Sequence, residues 1–360
     1  MKTKILFFFF FFFLYFVGGS AAWTVDNNPN SPAQYSDLQL AIDNAAIGDT
    51  ILVAGSATSY GNITIDRQLT IIGAGYHNQY GDISDINHLY FIRQNASSSA
   101  DGSKIMGFDI YYIEINGWFS GGTIANQGIS NVIIERCYFK YVNFNDSYCK
   151  YSKDTIRNCI INSYYIDFNN VNSSEYDSIF IHNNIFDGSY ISQNDVNYGL
   201  ENVFIRNNVF INRTNYAFYN INSAVIENNI FYASEPHGTS GCTNSVFNNN
   251  ITYYCSDNTI PYGTNTGANN FVNSDPKFEN YPIAGGEFDY SYDFHLKTGS
   301  PGLNAGTDVT NIGIYGGSLP FEVGANPTIP QVTEINFIDG VSSAPIGGTI
   351  NVNFKAKKQD

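Results

Sequence analysis

The chain has 360 residues, a net charge of −15, a pI near 4.6 and only 14% charged residues. That balance excludes the basic face a nucleic-acid binder needs. It also disfavours a polyanionic ligand unless a local basic patch overrides the mean field.

Lys2 and Lys4 precede an apolar run from Ile5 to Val17, and Ser20, Ala21 and Ala22 supply small residues for cleavage. Residues 1–22 therefore read as a signal peptide cut near Ala22/Trp23, the apolar run being short for a bilayer. The expected location is secreted, either extracellular or associated with the cell surface. No later segment reads as transmembrane. Trp23 to Val25 reads as a first strand. Ser36 to Gln39 reads as a capping box, with Ser36 the cap and Gln39 reaching back. Leu38, Ala41, Ile42 and Ala45 follow at helical spacing and Gly48 stops them. Such an amphipathic helix covers the open end of a repeating structure. Strands at Gly48 to Val53, Leu69 to Gly75 and Ile105 to Phe108 follow. Between them Tyr76, His77, His88 and Ser97 to Ser99 read as a loop. Trp118 stands in a glycine-rich stretch, where it either packs over an edge or stacks a sugar ring.

From Asn131 to Thr252 the chain repeats itself. Asn131 to Phe139, Ser178 to Phe186, Asn202 to Phe210 and Ser223 to Phe231 each hold two short apolar runs broken by Asn or Cys. Asp154 to Ile161 and Asn244 to Thr252 are looser copies. Aligned on Cys137, Cys159, Asn184, Asn208, Asn229 and Asn250, the steps are 22, 25, 24, 21 and 21 residues. A period in that range means a solenoid. Within one repeat Val203 and Ile205 lie two apart, as do Asn208 and Phe210, with Asn207 a one-residue corner between two strands. The β-branched and aromatic content favours strands. The Leu-rich consensus of a leucine-rich repeat is missing, and the period is too short for a propeller blade. The predicted fold is all-β, a right-handed parallel β-helix solenoid with coils about 4.8 Å apart. Val203, Ile205, Asn208 and Phe210 point inward. Asn184, Asn208, Asn229 and Asn250 then form an internal Asn ladder, because a buried amide left unpaired costs about 1–3 kcal/mol. Asn269-Asn270-Phe271-Val272 holds the expected last rung.

These Asn-Asn-Ile/Val-Phe corners, the Leu38 to Asp43 and Gly48 to Ile51 stretches and the Leu69 to Gly73 strand resemble secreted bacterial right-handed β-helix proteins of the pectate-lyase-like class. Asp275 to Phe278, Asp293 to Leu296, Ser300 to Gly306 and Ile312 to Gly317 resemble the closing segment of that class. The resemblance implies a β-helix over 23–319. Pro320, Pro327 and Pro330 then mark a linker, and 320–360 holds a short C-terminal β segment with strands Thr333–Ile338 and Thr349–Phe354.

Five cysteines, Cys137, Cys149, Cys159, Cys242 and Cys255, leave at least one unpaired or bonded between chains. Cys137 and Cys159 replace Asn at the inward position in consecutive coils, which puts their Cα atoms within disulfide range; parallel neighbours rarely offer the side-chain vectors for a bridge, so two buried thiols are the favoured reading. No Cys/His cluster suggests a metal or redox centre, and no cofactor is expected. For calcium, Asp101, Asp109 and Glu114 are the nearest approach to a ligand cluster.

The register defines an outward row two residues before each inward Asn or Cys: Glu135, Arg157, His182, Arg206, Glu227 and Asn248. Arg157, His182 and Arg206 offer a basic strip for an anionic sugar. The plainer reading is a charge ladder, Glu135–Arg157 and Arg206–Glu227, that holds the sheet in register. His182, between two Arg, has its protonated form disfavoured. A second candidate, Tyr232 to His237, resembles the Tyr-x-x-Asp-Pro-His stretch of poly-mannuronate epimerases, with Glu235 in place of Asp. The resemblance implies acid/base roles for Tyr232, Glu235 and His237. The Asn-Thr-Asp, Asp-Asp, Gly-His-Gly and Arg-Ile-Lys marks of polygalacturonase-type hydrolases are absent from the sequence. The expected function is binding of a polysaccharide or surface glycan, or mediation of surface contact, by a monomer, without evident catalysis. The alternative is a polysaccharide lyase or uronate C5-epimerase acting on an acidic polysaccharide.

Overall fold

The computed structural model describes residues 20–78, 82–95, 97–116, 128–144, 151–168, 176–193, 200, 202–236, 241–322, 331–337 and 352–357. Most of the segment read as a signal peptide, Trp118, Cys149 and His237 lie outside these residues.

Two long parallel sheets build the solenoid. The first has ten strands in chain order. They are Ala22–Val25, Thr50–Val53, Thr70–Ile72, Lys104–Met106, Ile133–Glu135, Thr155–Arg157, Ile179–His182, Val203–Arg206, Val225–Glu227 and Val246–Asn248. The second runs beside it through Asn62–Ile65, Asp85–Asn95, Asp109–Asn116, Tyr138–Phe144, Ile160–Phe168, Ile185–Asp187, Val209–Ile211, Ile230–Tyr232 and Ile251–Tyr253. Repeat lies on repeat: Val203 beside Ile179, Ile205 beside Ile226, Phe210 beside Phe186 and Phe231. Val203, Ile205, Asn208 and Phe210 are all fully buried, as the alternation requires. The core phenylalanines stack coil to coil, at 4.4 Å for Phe186–Phe210 and 4.9 Å for Phe210–Phe231.

Each Asn-Asn corner splits its two amides between two tasks. The second Asn points inward. Asn208 Nδ2 donates to Ile181 O (2.9 Å) and to Asn229 Oδ1 (3.0 Å), which also accepts from Asn208 N (2.9 Å). Asn184, Asn229 and Asn250 repeat the pattern, the last onto Asn270 Oδ1. Cys137 and Cys159 hold the equivalent positions upstream as buried free thiols. The first corner residue takes a left-handed conformation, with φ from 51° to 59° at Arg136, Asn158, Asn183, Asn207, Asn228 and Asn249. Asn tolerates that region better than most residues.

The outer amides grip the C-terminal segment. Asn249 Nδ2 donates to Ala305 O (2.7 Å), and Asn228 exchanges bonds with Thr307. Asn207 Nδ2 reaches Asn311 O and Gly313 O (both 3.4 Å), and Asn183 Nδ2 reaches Ile314 O (2.7 Å) and Gly316 O (2.8 Å). Arg136 then pairs with Glu322 at 2.5 Å. Residues 305–322 thus run back along the solenoid towards its first turns. The approach is close: a Cβ on Gly316 would sit 2.5 Å from Asn207 Nδ2. This tail, with the antiparallel pair Phe278–Asn280 and Asp293–Leu296, buries an outward aliphatic row of Ile160, Ile185, Val209, Ile230 and Ile251.

Five expectations change. Asp37, not Ser36, caps the Leu38–Asn44 helix, accepting from Leu40 N at 2.9 Å. Gln39 does not reach back: its amide bonds Thr64 N (2.7 Å) and Thr64 O (3.1 Å), satisfying the edge strand of the second sheet. The stretch read as a loop contains the eleven-residue strand Asp85–Asn95, so His88 is a strand residue. Its inward residues Ile86, Leu89 and Phe91 break the period of two once, which hides the strand. The first strand begins at Ala22, one residue early, and Ala21 N donates to Asp49 Oδ1 (2.7 Å). The C-terminal hairpin pairs Gln331–Phe337 with Val352–Lys357, each bound one to three residues from the expected one.

Candidate functional site

The register places Glu135, Arg157, His182, Arg206, Glu227 and Asn248 side by side on the outer face of the first sheet. Their charges close on one another. Glu135 is 6% exposed and takes Lys104 Nζ at 2.6 Å and an Arg157 guanidinium nitrogen at 2.9 Å. Burial works to raise its carboxyl, but the hydrogen bonds from Lys104 and Arg157 outweigh burial and hold it below the ordinary range. Arg206 lies 3.2 Å from Glu227, which also accepts from Asn248 Nδ2 (3.2 Å), and its guanidinium covers the Phe204 ring at 4.6 Å. Burial first, and then the two flanking Arg against the opposing pull of Asn183, keep His182 below its ordinary value. Its Nδ1 lies 2.8 Å from Oδ1 of Asn183, one of the residues that grip the tail.

Tyr232 faces the tail. Its hydroxyl donates to Ile283 O (3.0 Å), its ring packs among Tyr253, Phe278 and Tyr281, and burial pushes the phenol up to about 12. Glu235 belongs instead to a separate two-stranded sheet, paired in register with Tyr216. Among the described residues no three His, Cys, Asp or Glu gather as a metal site. Asp101 pairs with Arg93, and Glu114 accepts from Asn116 Nδ2.

The second sheet carries a surface the sequence reading passed over. His88, Tyr112, Tyr141, Tyr165 and Tyr190 follow one another in register on its outer side. Successive ring centroids are 5.2, 5.8, 5.0 and 5.4 Å apart, and Tyr219, the register partner of Ser192, continues the ring contacts at 4.8 Å from Tyr190. Tyr111 and Tyr164 widen it, at 5.6 and 4.1 Å from Tyr141. A parallel row two residues on holds Tyr90, Glu114, Asn143, Asp167 and Ser192. Asn143 Nδ2 donates to the Tyr112 hydroxyl (2.7 Å), and Ser192 Oγ to Asp167 Oδ1 (2.7 Å). Burial raises the Asp167 carboxyl despite that bond.

At the N-terminal end of this face lies a cavity of about 640 Å³, lined by Asn62, Asp85, Asn87, His88, Asp109, Tyr111, Tyr138 and Lys140. Burial, helped by the Asp85 charge and opposed by Lys140, pushes the Asp109 carboxyl up to about 7. A signal for the face exists in the sequence. His88-Leu89, Tyr112-Ile113, Tyr141-Val142, Tyr165-Ile166 and Tyr190-Ile191 repeat a ring followed by an inward aliphatic residue.

No family model and no curated protein matches the chain. Among solved structures, an arginine-to-alanine mutant of the PL6 family alginate lyase AlyGC aligns at 13% identity over 78% of this chain, with a TM-score of 0.20. The match spans 58% of that chain's length. Among the described residues no helix is long and apolar enough to cross a membrane.

Proposed function

We propose that this is a secreted or surface-attached β-helix protein that binds a neutral polysaccharide along the tyrosine face of its second sheet. The carrying observation is the unbroken run of rings from His88 to Tyr219, one per coil. An aromatic ring presents a flat apolar face beside a polar hydroxyl, which matches a sugar ring with its apolar C–H face and hydroxyl rim. Glu114, Asn143, Asp167 and Ser192 supply hydrogen-bonding groups along the same edge. The carboxylates there and the net charge of −15 repel an acidic polymer. A lyase or epimerase acting on an acidic polysaccharide has less support, because the Tyr232 hydroxyl is engaged and the Arg157 and Arg206 charges are paired.

Affinity electrophoresis in gels containing glucans, mannans, xylans or galactans tests the reading. Retardation in at least one gel, weakened by Tyr141→Ala or Tyr165→Ala, is expected. No retardation in any of them removes the reading. Retardation by alginate or pectate that survives Tyr141→Ala and disappears with Arg157→Ala moves the site to the first sheet.

A further inference from the structure

We infer that the cavity between Asp85, Asp109, Tyr111 and Lys140 hydrolyses glycosidic bonds, with Asp109 as the acid/base and Asp85 as the nucleophile. The inference rests on the glycan-binding reading, since the cavity opens on the tyrosine face and shares its rings.

Asp85 and Asp109 are register partners on adjacent strands, so their Cα atoms lie about 4.8 Å apart and their side chains leave the sheet on the same side. Both line the cavity, and its volume of about 640 Å³ is in the ordinary range for a small-ligand site. One wall is built for a sugar ring: Tyr111 is 45% exposed and stacks on His88 with an interplanar angle of 9°. Asn62 and Asn87 add amides, and Lys140 Nζ sits 5.1 Å from the Tyr111 centroid.

The two carboxyls are not equivalent. Asp109 is flanked on both sides, by Asp85 on one strand and Tyr138 on the next. Tyr290 from the tail and Lys140 also act on it or are acted on by it. Burial and Asp85 together keep Asp109 protonated close to neutral pH, which suits a proton donor. In retaining glycosidases the two carboxyls stand about 5–5.5 Å apart, whereas inverting enzymes need about 6.5–9.5 Å to admit a water between them. The one-coil step fixes the Cα spacing of Asp85 and Asp109 at about 4.8 Å, on the scale of the shorter carboxyl separation.

The chemistry balances with water as the only co-reactant. The Asp85 carboxylate attacks the anomeric carbon, and the bond from that carbon to the bridging oxygen breaks. Asp109 gives its proton to the departing oxygen. Water then attacks the same carbon while Asp109 takes its proton, and the ester bond to Asp85 breaks. The product keeps its anomeric configuration.

The test uses the full chain and any neutral glycan that retards the wild type in affinity electrophoresis. Reducing-end release is measured on that glycan, and NMR reads the anomeric configuration of the first product. Asp109→Asn and Asp85→Asn are expected to keep the retardation and lose at least about 100-fold in release, with melting curves showing that both variants fold. A wild type that binds the glycan and releases nothing overturns the inference and leaves the binding reading intact. A wild type that binds none of the glycans removes both. Release that survives either substitution, or an inverted product, overturns the assignment of these residues.

Discussion

The two outer faces of the solenoid stack polar side chains on the same one-coil step and reach opposite results. On the first sheet, unlike charges stand one coil apart, so Glu135 is closed by Lys104 and Arg157, and Glu227 by Arg206. On the second sheet like rings stand one coil apart. Rings cannot neutralise one another; they align, and their faces and hydroxyl edges form a continuous surface. In a parallel solenoid, complementary residues on one row make a brace, and repeated residues make a platform.

The strongest break in this contrast is Glu135→Ala. It strands Lys104 and Arg157 beside a buried position, and a loss of about 3–5 kcal/mol in unfolding free energy is expected. A change under about 1 kcal/mol in denaturant titration means that the row is no brace. Next comes Tyr141→Ala at the centre of the platform, where about 2 kcal/mol, or roughly 30-fold in Kd, is expected for the retained glycan. Unchanged affinity removes Tyr141 from the contact surface.

The dependence on pH separates the faces in another way. Asp109, Asp154, Asp167 and Asp187 are all raised, chiefly by burial. The folded state therefore holds their protons more tightly than the unfolded chain does. Stability from this group falls as pH rises above the ordinary Asp value, for Asp109 as far as about 7. Glu135 is depressed, so its contribution is present above the ordinary Glu value and is lost as pH falls below it. Melting temperatures are expected to peak in mildly acid solution, and Asp109→Asn should flatten the decline on the neutral side. A profile unchanged by that substitution contradicts the raised carboxyl. The smallest effect belongs to Arg206→Ala. Its side chain is 39% exposed, and a stability change within about 1 kcal/mol with unaltered glycan affinity is expected. A tenfold loss of affinity there shifts recognition to the first sheet.

The period, the two strands of each repeat and the inward residues were legible because burial imposes a strict alternation on Val203, Ile205, Asn208 and Phe210. The outward row of the first sheet followed from the same register. The Asp85–Asn95 strand was hidden by the break between Ile86 and Leu89, where the coil turns a corner inside a continuous strand. The tyrosine row fell under the same shadow, since its register depends on that strand and on long neighbours with the same break. The tail contacts were illegible for another reason. Asn183 and Asn184 are the same residue type in adjacent positions, and only the backbone sign at Asn183, φ 55°, decides which amide faces out.

Those outward amides change how the molecule comes apart. Their partners lie 56 residues on for Asn249, 79 for Asn228, 104 and 106 for Asn207, and 131 and 133 for Asn183. A bare solenoid has only nearest-neighbour coupling and frays from its ends one turn at a time. Here each turn is stitched to the tail in reverse order, so the last coils cannot peel away until the tail has let go of the earlier ones. The same stitching raises the contact order and delays completion of folding until the C-terminal segment arrives. What looks like a row of separable repeats behaves, over these turns, as one cooperative unit.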